Sequence, residues 1–124
     1  MITFEVDDLK KMNADLLRFA AYLEERGADA DAVFDSRLVS CELITNVLRH
    51  CGGTAKFEGV LADGEILITV SASQSSGKIV VPALPEVLAE SGRGLYIVNA
   101  ISGGNVFISG GDVTVKIILK DCGI

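Results

Sequence analysis

The chain has 124 residues, 49% of them hydrophobic and 23% charged, which is one domain's length with enough apolar side chain for a packed core. Eleven basic against seventeen acidic residues leave a formal charge of -6, which argues against direct nucleic-acid binding and against a polybasic membrane anchor. No apolar run approaches the roughly 18 to 20 residues of a membrane span, the N-terminus does not read as a signal peptide, and three cysteines without a CxxC pair beside a single His make no zinc set, so a cytoplasmic protein with reduced thiols is expected.

Met1 to Val6 alternates apolar and polar residues and reads as a short strand. Asp7 or Asp8 can cap a helix whose apolar positions Leu9, Met12, Leu16, Phe19 and Leu23 step by three and four, and Gly27 suits its end. A second helix starts near Asp31 and runs to about His50, before Gly52-Gly53. Then the period changes. Ala55, Phe57 and Leu61 share one face of a strand, Ile66, Ile68 and Val70 share one face of the next, and Asp63-Gly64 between them signals a hairpin. Ser71 to Lys78 reads as a Ser-rich loop, and Leu95 to Ile101 as a short helix opened by Gly92-Arg93-Gly94. A second hairpin closes the chain, with Val106-Phe107-Ile108, a Gly110-Gly111 turn and Val113 to Leu119. Strands are therefore expected near 2–6, 54–61, 65–71, 105–109 and 112–119 in one mostly antiparallel sheet. All three helices should cover the same face, giving an α+β fold, a two-layer sandwich over residues 1–124.

The second helix is apolar around most of its circumference. Phe34, Leu38, Cys41, Ile44 and Leu48 make one broad face, and Val39, Leu43 and Val47 extend it round the back, so the helix should be largely buried. Against that background Glu42, Asn46 and His50 recur at i, i+4 and i+8 as one polar stripe. A carboxylate, an amide and an imidazole on a buried helix each need a partner, and a bound ligand would supply several at once. The same spacing also fits a solvated seam with Glu42 and Arg49 facing water. Gly77-Lys78 lacks the rest of a P-loop, and Ile97 stands where a dinucleotide fingerprint wants Gly or Ala. What survives is a glycine pair directly before a helix, where backbone N–H groups favour an anion, or else a loop whose glycines merely permit positive φ.

Taken together the two motifs carry a resemblance. The run Glu42-Leu43-Ile44-Thr45-Asn46-Val47-Leu48-Arg49-His50 resembles the N-box of the Bergerat-fold (GHKL) ATPases, the histidine kinase-like ATPase superfamily. Ser91-Gly92-Arg93-Gly94-Leu95-Tyr96-Ile97-Val98, roughly 45 residues later, resembles its second glycine box. Size and motif form are most similar to the bacterial anti-sigma factor serine kinases, and the likeness extends over nearly the whole chain. With no histidine-bearing phosphoacceptor helix ahead of the domain, a complete sensor kinase is not expected.

The resemblance implies an ATP–Mg²⁺ site between the second helix and the segment from Ser71 to Gly94. Asn46 would give an amide oxygen to Mg²⁺. Glu42 would be the catalytic general base toward the acceptor serine hydroxyl of a partner protein. The backbone of Gly92, Arg93 and Gly94, at the start of the helix opened by Leu95, would hold the phosphates. His50 would brace the loop. The implied partners are a sigma factor and an anti-anti-sigma protein, and members of the family are often homodimers.

One box departs from the pattern. The family carries D-x-G-x-G after the central strand, its Asp accepting from the adenine amino group; here Ala72, Gln74 and Ser76 occupy those positions. Ser71 or Ser73 is a substitute acceptor without charge, and losing a charged acceptor costs about 1.5–3 kcal/mol, or roughly ten- to a hundredfold in affinity. Asp112 stands where the family usually has Thr, and would repel phosphate if it faced the site. Two functions follow: an anti-sigma-like serine kinase, or a degenerate relative that acts by protein binding alone. A third is an unrelated α+β binding domain.

Overall fold

The computed structural model describes residues 1–51, 54–73, 105–109 and 112–119. Five strands, β1 (Ile2–Val6), β2 (Thr54–Ala62), β3 (Glu65–Ser73), β4 (Val106–Ser109) and β5 (Asp112–Ile118), form one sheet. Its order is β1-β2-β3-β5-β4, and every neighbouring pair is antiparallel. Two helices, α1 (Leu9–Glu25) and α2 (Ala30–Asn46), come between β1 and β2. The expected strands agree with these bounds to within two residues. The Gly110-Gly111 turn and the expected helix after Gly94 lie outside the described residues.

Register explains why one face is dry. Phe4 pairs with Phe57 and Val6 with Ala55; Phe57 pairs with Val70, Gly59 with Ile68 and Leu61 with Ile66; Ile66, Ile68 and Val70 pair in turn with Ile117, Val115 and Val113. All of these side chains are buried, so the period-2 alternation of four strands coincides on a single inward face. The outward face carries Thr3, Glu5, Lys56, Glu58, Thr69, Ser71, Thr114 and Lys116, all exposed or half-buried. Asp63 and Gly64 take positive φ of 54° and 74°, as a two-residue Asp-Gly hairpin loop requires, and this sets the β2–β3 register.

Both helices cover the inward face. Asp8 caps α1, its carboxylate accepting from Lys11 N–H at 2.7 Å. Gly27 (φ 93°) ends α1 in a Schellman arrangement, with Gly27 N–H donating to Glu24 O and Ala28 N–H to Leu23 O. Met12, Leu16, Phe19 and Leu23 point into the core as expected, but Leu9, in the first turn, is exposed. The Phe19 ring meets Phe57 edge-on at 5.0 Å between centroids, and Phe57 stacks on Phe4 at 4.4 Å. Beyond the end of β1, the Leu61 N–H would lack a strand partner; the Tyr22 hydroxyl accepts from it at 3.2 Å. Asp15 is buried yet ion-paired at 2.8 Å to both Lys11 and Arg18, and the Lys11 ammonium also donates to Glu5 O, tying α1 to β1.

α2 starts at Ala30 with Asp29 as its cap and turns a different face inward from the one its apolar pattern suggested. Val39, Leu43, Ile44 and Val47 are fully buried together with Ala32, Val33, Ser36 and Ser40. Phe34 is 64% exposed, and Leu38, Cys41 and Leu48 are half-buried. The reason is local satisfaction. The Ser36 and Ser40 hydroxyls each donate at 2.7 Å to a carbonyl one turn back, so these small residues enter the core without an orphaned donor.

A Cβ placed on Gly59 would stand 2.7 Å from Phe19 Cζ and 2.9 Å from Phe57 Cε1. Gly59→Ala should therefore destabilise the domain by about 1–3 kcal/mol in a denaturant titration, through overpacking. An unchanged midpoint would contradict this placement of α1.

Candidate functional site

The stripe on α2 begins as its spacing predicts. Glu42 is half-buried, and one turn later Asn46 is only 2% exposed. Asn46 is the last residue of α2 and belongs to the same buried arc as Val39 and Leu43, which faces the sheet. Its Nδ2 is buried and makes no hydrogen bond. An amide carries two donors and one acceptor site that a core normally satisfies, and leaving a buried donor unpaired costs about 1–3 kcal/mol. Every other buried polar side chain of α2 has found a partner within the helix. Asn46 stands apart.

After Asn46 the helix changes type. Val47–Cys51 form a π-type turn that packs against β2 and β3. Because that turn is wider than an α-helical one, strictly α-helical spacing applies only from Glu42 to Asn46. The His50 side chain and residues 92–95, which carry Gly92, Arg93, Gly94 and Leu95, lie outside the described residues. So does the cleft expected between them and Asn46.

Helical geometry adds two residues that the motif reading missed. At about 100° per residue, Asp35 and Asp31 fall within about 60° of Asn46 on the wheel. They line a cavity of about 210 Å³ with Ala32 and Ile117 to Leu119, at the end of β5. One side of α2 thus carries Asp31, Asp35 and Glu42 before it reaches Asn46. A periodicity search for apolar residues passes over such a side; a search for carboxylates at i, i+4 and i+11 would have found it. Asp31 and Asp35 stand about 16–22 Å along the axis from Asn46, beyond the screening length, so this cavity is separate from the Glu42–Asn46 pair.

The inward face of β2, β3 and β5 is apolar among the described residues. Ala72, 6% exposed, lies on the inward face of β3 opposite Ala55. Ser71 and Asp112 pair with each other one residue out of phase, on the outward face, where they line a cavity of about 130 Å³ with Lys56, Glu58 and Thr69. Two expectations change accordingly. Ser71 is turned away from α2 and cannot replace the missing carboxylate. Asp112 likewise faces away, so its charge does not confront a ligand beside Asn46.

No protein-family model matches the chain, and no curated protein matches it.

The chemistry of the pair is definite. Turning the Asn46 amide end for end presents either a donor or an oxygen from the same buried place. With the Glu42 carboxylate one turn away, the donor set is hard oxygen, which suits Mg²⁺ and its phosphate ligands. Nothing in it suits a soft metal. Among the described residues no group of three or more metal-ligating side chains occurs, so a cation here would draw its remaining ligands from its anion and from water.

Asn46→Leu, close in shape but apolar, should leave the unfolding midpoint unchanged or raise stability by up to about 1–3 kcal/mol, because it removes an unpaired buried donor. A loss of more than about 1 kcal/mol in the same chemical denaturation would show that the amide is a structural partner instead.

Proposed function

We propose that the chain is an anti-sigma-factor-like regulatory domain of the Bergerat type, which binds ATP with Mg²⁺ beside Asn46 and phosphorylates a serine of an anti-anti-sigma partner. One observation carries this reading: a buried amide with an unpaired donor, one turn beyond a half-buried carboxylate, on the helix whose sequence resembles the N-box. The element order supports it, since an antiparallel sheet with two helices on one face is the coarse architecture that the resemblance implies.

In this reading ATP supplies the phosphoryl group and Mg²⁺ offsets the charge of its phosphates. Asn46 holds the metal–phosphate end through its amide. Glu42 orients the acceptor serine hydroxyl and takes its proton. Binding should depend on the divalent ion, because the phosphates carry their negative charge into a site whose own groups are an amide and a carboxylate. Gly92, Arg93 and Gly94 are assigned to the phosphates by the motif alone. His50 is assigned to bracing on the same basis.

A second reading keeps the fold and the partner surface but gives up catalysis. The observation that favours it is Ala72, buried and apolar where the family carries its adenine-binding acid. The sigma factor and the antagonist would then be bound without nucleotide control.

Calorimetric titration with Mg-ATP separates the two readings. Weak, Mg²⁺-dependent binding is expected, abolished by EDTA; heat identical to the buffer control would favour the second reading. Ala72→Asp should tighten ATP by about ten- to a hundredfold, with a smaller gain for inosine triphosphate, which lacks the amine. Equal gains for both would refute the assignment of position 72. Glu42→Gln should preserve binding and slow transfer to a serine acceptor by about 10²–10⁴-fold.

A further inference from the structure

We propose that the outer face of α2 is the interface of a symmetric dimer, in which α2 of a second copy lies parallel to α2 of the first. Phe34, Leu38, Cys41 and Thr45 recur at i, i+4, i+7 and i+11, the spacing of a single helical seam. The seam lies on the side of α2 opposite its buried arc; Phe34 is exposed and the other three are half-buried. Its one hydroxyl is partnered on its own helix, with Thr45 Oγ1 4.0 Å from Cys41 Sγ.

Shape and charge together select the occupant. In heptad terms Phe34 and Cys41 are d positions and Leu38 an a position. The hole that receives an a side chain from a parallel helix is built from the preceding d and g, the same a and the following d. Here those residues are Phe34, Arg37, Leu38 and Cys41, and all four line an open cavity of about 220 Å³, closed on the α1 side by Asn13 and Leu16. The same patch thus carries both the socket and, in its own Leu38, the knob, which is what a two-fold interface requires.

Arg37 is exposed at g, Glu42 is half-buried at the next e, and neither has an ion-pair partner among the described residues. Parallel helices set Arg37 of each copy beside Glu42 of the other. Antiparallel helices would instead set Glu42 against the flank that carries Asp35 and Glu42, like against like. Glu42 lies between the seam and Asn46 on the wheel, and a carboxylate has two accepting oxygens, so this pairing is compatible with the role proposed for it above. The dimer does not depend on the nucleotide reading.

Sedimentation equilibrium of the full chain tests it. The expected result is a reversible monomer–dimer equilibrium with the dimer predominating at about 100 µM. Leu38→Glu, its fold checked by far-UV circular dichroism, should be monomeric throughout, because it drives a carboxylate into each socket. Arg37→Glu should weaken the dimer by about tenfold or more, and adding Glu42→Arg to the same chain should restore it. A monomer at about 100 µM would overturn the inference, leaving the seam to another occupant and the nucleotide reading untouched. A dimer indifferent to Leu38→Glu would overturn it as well, since the copies would then meet through another face. So would a double reversal that restores nothing, since Arg37 and Glu42 would then not be partners across the seam.

Discussion

Among the described residues the inward face of the sheet has one position without a side chain, Gly59, and the ring of Phe19 occupies the space above it. That contact brings α1 down onto β2, where Phe57 closes the other side of the ring and stacks on Phe4 of β1. With α1 seated, Tyr22 reaches the free N–H of Leu61, and Asp15, held by Lys11 and Arg18, draws the start of α1 back to the end of β1. α2 then has one course left to it, alongside α1 and over β3 and β5. Its small buried residues, Ala32, Ser36 and Ser40, let it lie there. The depth at which Asn46 is buried follows from this chain of contacts.

Burial on these terms is selective. α2 carries three buried polar residues, and two of them, the serines, are neutralised by bonds to their own helix. The third keeps an unpaired donor at 2% exposure. A fold that satisfies Ser36, Ser40 and even a buried aspartate has the means to satisfy an asparagine, or to do without it. A retained energetic fault in otherwise consistent packing is the kind of local conflict expected where function and stability compete.

Strands were the most legible part of the sequence. Alternation of apolar residues in 55–61 and 66–70 is a period-2 signal, and Asp63-Gly64 is a turn with a single good conformation, so β2 and β3 could be placed with their shared face. The cap at Asp8 and the Gly27 stop worked for the same local reason, whereas the second helix was expected to start near Asp31 and is capped by Asp29. Face selection on α2 was not legible. Phe34 and Leu38 outweigh Ser36 and Ser40 on any hydropathy scale, yet the serines went inside, because a back-bonded hydroxyl is small and satisfied while a phenylalanine there would have needed more room. The π-type turn at Val47–Cys51 was invisible too. Of the site itself, the pair Glu42–Asn46 could be read from i, i+4 spacing. The orphaned donor could not, since satisfaction is a property of three-dimensional surroundings. Which way Ser71 and Asp112 face required the strand phase, which one residue reverses.

The central claim is that the Asn46 amide is kept unpaired for a ligand. It is tested most directly by the side-chain NH₂ resonances of Asn46 in ¹⁵N-labelled protein, assigned by their loss in Asn46→Leu and followed as Mg-ATP is added. The account predicts a saturable shift of that pair, absent when EDTA removes the metal, while the side-chain amide of Asn13 on exposed α1 surface stays in place. An Asn46 pair that does not move at saturating Mg-ATP would contradict it.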